Sequence, residues 1–266
     1  PNKETKNISD EYINKNKKEK KLDPTKKVIH DINENNSKDI SDEYENMKDI
    51  TDKNVKKDKK NKKYIEDVKK SYNALVNETI EQFNLIISKG YNIELWQGEG
   101  QPYANSQEMI NDIVENKHMY VFSTEAGFGT TEITKEMRQD NPLLKTTDII
   151  DINGKVLLAN DIFRFTHDFF GHTELGNSFG VIGEEAAWLN HSRMYSPDAR
   201  RALTTETRGQ NSWVNFGPHM RDKNGDILTP GEKGYLPASQ RPYAPQKIGI
   251  MSDEIVFQET PADLQI

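Results

Sequence analysis

The sequence predicts a mainly α fold with a few short strands, an α+β arrangement. It places one metal-binding domain over residues 62–266 behind a polar tail over residues 1–61. Three observations point there. Apolar residues recur at helical spacing through long stretches from Tyr64 to Phe216. Only two runs, YNIELW and HMYVFS, alternate in the manner of strands. The first 62 residues hold 17 Lys and 14 Asp or Glu, many Asn, and no Gly, Phe or Trp. A stretch of that composition has little apolar surface with which to offset chain entropy. Disorder or loose helix is therefore the expectation for it.

The elements follow in order. Tyr64–Ser88 reads as an amphipathic helix, with Val68, Tyr72, Leu75, Val76, Thr79, Phe83, Ile86 and Ile87 on its apolar stripe and Gly90 ending it. Tyr91–Trp96 is a short strand. A loop leads to Ser106 as a helix cap, and that helix reaches about Asn116. His118–Ser123 is a second strand, followed by the glycine turn TEAGFG. Pro142 breaks the chain, and DINGK is an Asn-Gly turn. Leu158–Phe170 is a helix stopped at Gly171. Gly183–Tyr195 is a second, ended by Pro197, and Asp198 to about Phe216 is a third. Pro- and Gly-rich loops come next, and IGIMSDEIV is a short strand or helix.

Composition removes several functions. With no cysteine there is no disulfide, thiolate nucleophile, iron–sulfur cluster or Cys-ligated zinc, which fits a reducing, cytoplasmic setting. No apolar run approaches the roughly 20 residues that span a bilayer, and no signal-peptide pattern is visible, so no membrane partner is expected. Beyond residue 62 the chain has 19 basic against 29 acidic residues, which argues against a dedicated nucleic-acid binder. The tail lysines Lys56, Lys57, Lys59 and Lys60 could touch nucleic acid, but interleaved acids favour a solvated tail.

The chemistry concentrates in RFTHDFFGHTELG, Arg164–Gly176. His167, His172, His191 and His219 lie in one region with Asp161, Asp168, Glu174, Glu184, Glu185 and Glu206. Neutral imidazole plus carboxylate is the donor set of borderline divalent metals. On a straight α-helix residues five apart point roughly 140° apart, so His167 and His172 cannot share an ion there. A turn at Gly171 would bring them together. The third ligand should be a carboxylate on another element, either Glu184, whose face continues through Trp188 and His191, or Glu206 in TTETRGQNSW. Asp168 is either a capping acid or an orienting partner for an imidazole. Arg164 and Arg208 either clamp an anionic substrate or pair with internal acids. Trp188, Trp213 and His191 read as structural. Two histidines satisfied by local hydrogen bonds are the alternative to a metal site.

THDFFGH followed by TTETRG resembles the iron-ligand pattern of the pterin-dependent aromatic amino acid hydroxylases. The resemblance covers about a tenth of the chain. It implies His167, His172 and Glu206 as ligands of a mononuclear iron(II), with open positions for oxygen and substrate. It implies an oxygenase with a reducing cosubstrate and a small aromatic substrate. The residues themselves add Arg164, Asp168 and Arg208 as candidate catalytic side chains, the arginines for an anionic substrate group. The pterin-stacking residues of that family are not placed on this sequence, and Thr173 and Glu174 stand where the family has a proline. Zinc or manganese are the other candidate metals. More loosely, LTTETRGQNSWVNFGP is similar to phage-encoded proteins. Two other functions stay open: a metal-dependent hydrolase of the HD or zinc type, and a phage structural or virion-associated protein with a metal-stabilised core.

Overall fold

The computed structural model describes residues 2–16, 34–128 and 133–258. It is helical over most of them, with two sheets of two strands each. Of the two readings for residues 1–61, disorder or loose helix, the described part is mostly helical and packed; residues 1 and 17–33 lie outside the described residues. Helix α1 (Lys3–Asn16) buries Thr5, Ile8, Ser9, Tyr12 and Ile13. Those positions repeat at three and four residues and make one face. Ile8, Tyr12 and Ile13 join a core that contains Phe83, Ile86, Phe165, Phe169 and Phe170. Helix α2 (Glu34–Asn46) buries Ile40 and Tyr44, which pack with Met251 and Val256 from the far end of the chain. Average composition hid this, because a narrow stripe is enough when another surface supplies the rest of the core.

A short helix α3 (Lys53–Lys57), capped by Asp52, leads into the 27-residue helix α4 (Lys62–Ser88). Most of its predicted stripe is buried, with Val68, Tyr72, Leu75 and Ile86 fully inside, while Val76 is partly buried and Ile87 is exposed at the helix end. Each such side chain contributes about 1.5–3 kcal/mol relative to exposure. The helix ends where Gly90 takes φ 88°, a left-handed conformation that costs glycine little.

Strand β1 (Asn92–Trp96) and strand β2 (His118–Phe122) pair in parallel, with Ile93 opposite Met119 and Leu95 opposite Val121. The crossover between them carries α5 (Ser106–Asn111), whose cap is Asn105 rather than Ser106. Helix α6 (Lys135–Asp140) precedes an antiparallel pair, β3 (Thr146–Ile150) and β4 (Val156–Leu158), closed by the DINGK turn. Asp151 in that turn accepts from the Leu95 N–H, which fastens the hairpin to β1.

Four more helices follow: α7 (Ala159–His167), α8 (Val181–Ser192), α9 (Pro197–Thr204) and α10 (Gln210–Phe216). Wide π turns continue α7 through Asp168–Thr173 and join α9 to α10 through Thr205–Gly209. Ser196 caps α9 and Pro197 opens it, as the missing N–H of proline permits in a first turn. The IGIMSDEIV segment ends in a one-turn helix α11 (Asp253–Val256). No helix among the described residues is long and apolar enough to cross a membrane.

Candidate metal centre

Helix α7 is held at its start by Asp161. That carboxylate accepts from the Leu158 N–H at 2.9 Å and from the N–H and hydroxyl of Thr124 at 2.8 and 2.6 Å. Its last residue is His167. The helix does not stop at Gly171 as expected. It widens into the π turn Asp168–Thr173. In a π turn the bond runs from residue i to residue i+5, so residues five apart lie one above the other. His167 and His172 therefore share a face, their rings edge to face with centroids 5.4 Å apart. The glycine has a different task from the one expected of it. A Cβ on Gly171 would stand 3.1 Å from the Ala187 Cβ and 3.3 Å from His167 Cε1, so its absence lets the turn lie against α8.

That packing brings the third donor in. Glu184 lies in the first turn of α8, where the exposed N–H groups favour a carboxylate. Its Oε2 is 3.5 Å from His172 Nε2 and 4.0 Å from His167 Nε2. One donor atom from each of the three side chains falls within 4.8 Å of the others. Ligands of a single first-row ion, each about 2.0–2.2 Å from it, sit roughly 3–3.5 Å from one another. Small side-chain adjustments close that gap. The imidazoles are buried, while the Glu184 and Asp168 side chains are 28% and 26% exposed. The cluster is thus buried on its histidine side and opens on its carboxylate side.

The buried environment sets the charges. Desolvation, with His191 and His172 adding to it, holds His167 well below the usual histidine range, so it is neutral. Burial also opposes charge on His172, but Glu184 and then Asp168 outweigh it and raise that imidazole to about 9. A cation would displace that proton on entering. His172 Nδ1 faces the Asn177 carbonyl at 3.1 Å, which leaves Nε2 to point into the cluster. Asp168 Oδ1 stands 3.9 Å from His172 Nε2. Burial, with Glu184 adding to it, lifts this carboxyl to about 7 against the pull of His172 and Arg164.

No family model, curated protein or solved structure matches the chain. Its function therefore has to be read from the cluster itself.

The other expected site residues fall elsewhere. Glu206 stands outside the group of convergent donor atoms, which includes Glu184 instead. The Glu206 carboxylate accepts from the Tyr72 hydroxyl at 2.5 Å and the Gln210 amide at 2.8 Å. Its α9–α10 segment packs against α4, which directs it to Tyr72. Arg164 donates to the Phe122 carbonyl at 2.7 Å and the Gly127 carbonyl at 3.2 Å, holding the end of β2 and its loop. Arg208 lies in a buried fork with Glu185, at 3.1 and 2.7 Å, donates to the Ile255 carbonyl, and stacks 4.2 Å over Trp188. Its donors serve the core. His219 bonds the Val214 carbonyl, outside the donor group.

Sequence reasoning missed Gln82 and Asn177. Gln82 had a signal, as a polar residue on the apolar stripe of α4 between Thr79 and Phe83. Asn177 had none, because its part is played by a backbone carbonyl.

Proposed function

We propose that this chain is a metal-dependent enzyme that holds one divalent cation through His167 Nε2, His172 Nε2 and Glu184, and that it acts as a non-haem iron(II) oxygenase on a small molecule. The convergence of two buried imidazoles and one partly exposed carboxylate supports this reading. Iron(II) in a two-His-one-carboxylate set supplies open positions for activating oxygen and substrate. The residues do the rest. The buried Phe163 ring stacks on His167, centroids 6.1 Å apart, and excludes water from that face of the imidazole. Asp168, on the open side, can hold or release a proton near the reacting atoms. Ligand assignment moves from Glu206 to Glu184, and Arg208 has no part in the chemistry.

The proximity of Asp168 to His172 Nε2 also favours a second reading, a zinc hydrolase in which that carboxylate activates a water. One experiment addresses both. The full chain, purified without oxygen, is reconstituted with iron(II), zinc or manganese, beside His172→Ala, Glu184→Ala and Glu206→Ala. We expect one metal per chain, lost in the first two variants and kept in the third. Oxygen uptake by the iron form supports the oxygenase. Zinc-dependent hydrolysis of model esters without oxygen uptake would replace it with the hydrolase. Loss of metal with Glu206→Ala and retention with Glu184→Ala would overturn the ligand set.

A further inference from the structure

Behind the donor cluster, away from its open side, runs a chain of buried polar groups across three helices. His167 on α7 faces His191 on α8, Nδ1 to Nδ1 at 3.2 Å. His191 Nε2 faces Gln82 Oε1 on α4 at 2.8 Å. His191 and Gln82 are both fully buried. At the other end, His167 Nε2 is buried and has no hydrogen-bond partner among the described residues. A buried ring nitrogen without a partner is costly, and this one faces Glu184 across 4.0 Å.

From these contacts we infer that Gln82 and His191 are positioning residues for the metal centre, fixing the protonation of His167 from behind; the inference rests on the metal reading above. The Gln82 oxygen can only accept, so His191 Nε2 carries the proton. With its one proton on Nε2, the fully buried His191 ring presents Nδ1 as an acceptor to His167 Nδ1–H. A neutral His167 is left with a bare lone pair on Nε2, the form that can bind a cation. Ligating histidines commonly donate their second N–H to an oriented acceptor that fixes tautomer and ring angle. Here the acceptor is a second imidazole, itself fixed by a carboxamide. Were Gln82 turned so that its NH2 met His191, every proton would shift one place. His167 Nε2–H would then point at Glu184 and block the site.

The test combines a tautomer readout with a binding readout on the full chain. Long-range proton–nitrogen NMR on metal-stripped, 15N-histidine-labelled protein reports which His167 nitrogen is protonated. Zinc(II) titration with a competing chelator reports affinity. In the wild type we expect His167 protonated on Nδ1. In Gln82→Leu we expect the proton on Nε2 or shared, and zinc affinity lower by ten- to a hundredfold. Gln82→Glu keeps an acceptor at the same place and should restore both signals, which a merely structural role for this side chain would not require. If Gln82→Leu does not fold, Gln82→Met takes its place. Wild-type protonation on Nε2, or zinc affinity unchanged in a folded Leu or Met variant, overturns the relay. Absence of zinc and iron binding by a wild type with the Nδ1–H tautomer overturns the metal reading instead, so the two failures are distinct.

Discussion

Glu206, expected among the ligands, lies instead with Tyr72 and Gln210. Burial lifts its carboxyl from 4.5 to about 7, against the lowering effect of Tyr72, Gln210 and Arg164. The folded chain therefore keeps a proton that the unfolded chain has released. The stability of that neutral form is complete below pH 4.5 and is lost as pH rises through 7. We predict that Glu206→Gln, which removes the charge and keeps the shape, matches the wild type in urea unfolding at pH 4. At pH 8 it should be more stable by roughly 1–3 kcal/mol. Equal stability at pH 8 would mean that the carboxylate is ionised there without penalty. Arg208 carries a second prediction. Its guanidinium neutralises Glu185 in a buried fork. Removing one member of such a pair costs about 3–5 kcal/mol, because the other charge stays buried. Arg208→Met should show that loss in urea unfolding, and Arg208→Met with Glu185→Leu should recover most of it. A catalytic Arg208 with no structural role would leave stability unchanged.

Among the elements, the π turn Asp168–Thr173 decides what the site is. The i, i+5 spacing of the histidines excluded a regular helix between them, and that much was legible; the helix end expected at Gly171 is instead a π turn. The π turn itself was not legible. Periodicity reports which positions are apolar, and Phe169 and Phe170 are buried in either a π turn or a terminated helix. The same limit applies to the third donor of the candidate group. Glu184 and Glu206 are both acids on helices near the histidines, and only the docking of α8 on Gly171 brings Glu184 forward. Gly171→Ala should thus act on both stability and the site. The added methyl presses on Ala187 and on His167 Cε1, each within 3.3 Å. Such overpacking costs about 1–3 kcal/mol, and displacing an imidazole should weaken zinc affinity at least tenfold. Adding Ala187→Gly removes the closest contact and should recover part of the affinity, although glycine in a helix costs ~1 kcal/mol. Unchanged affinity in Gly171→Ala would show that the packing of α8 does not set the donor geometry.

Across the whole molecule, the amphipathic stripe of α4 and the helices of the C-terminal half were readable, because each carries its own apolar period. The role of the N-terminal helices was hidden, because α1 and α2 have few apolar residues and need surfaces over 150 residues away in the chain. Helix α1 packs on the π turn that bears His172. Asn2 N–H bonds the Glu174 carbonyl at 2.8 Å, and Ser9 donates to the Glu174 carboxylate at 3.0 Å. Asn190, from α8, donates to the Phe170 carbonyl at 2.7 Å. The N-terminal helix thus closes the side of the turn that α8 leaves open, and it should unfold only with the core. Local stability is visible in amide exchange, where frayed segments open at nearly no cost and core elements open at the global free energy. We predict that the amides of Ile8, Ser9 and Tyr12 exchange as slowly as those of Leu75 and Thr79 in α4. Tyr12→Ala, which empties a buried aromatic site, should lower global stability by about 3–5 kcal/mol and speed exchange in Phe169–Thr173. Exchange of the α1 amides at unprotected rates would return this segment to the open tail that its composition suggests, and the π turn would then have to hold its shape from α8 alone.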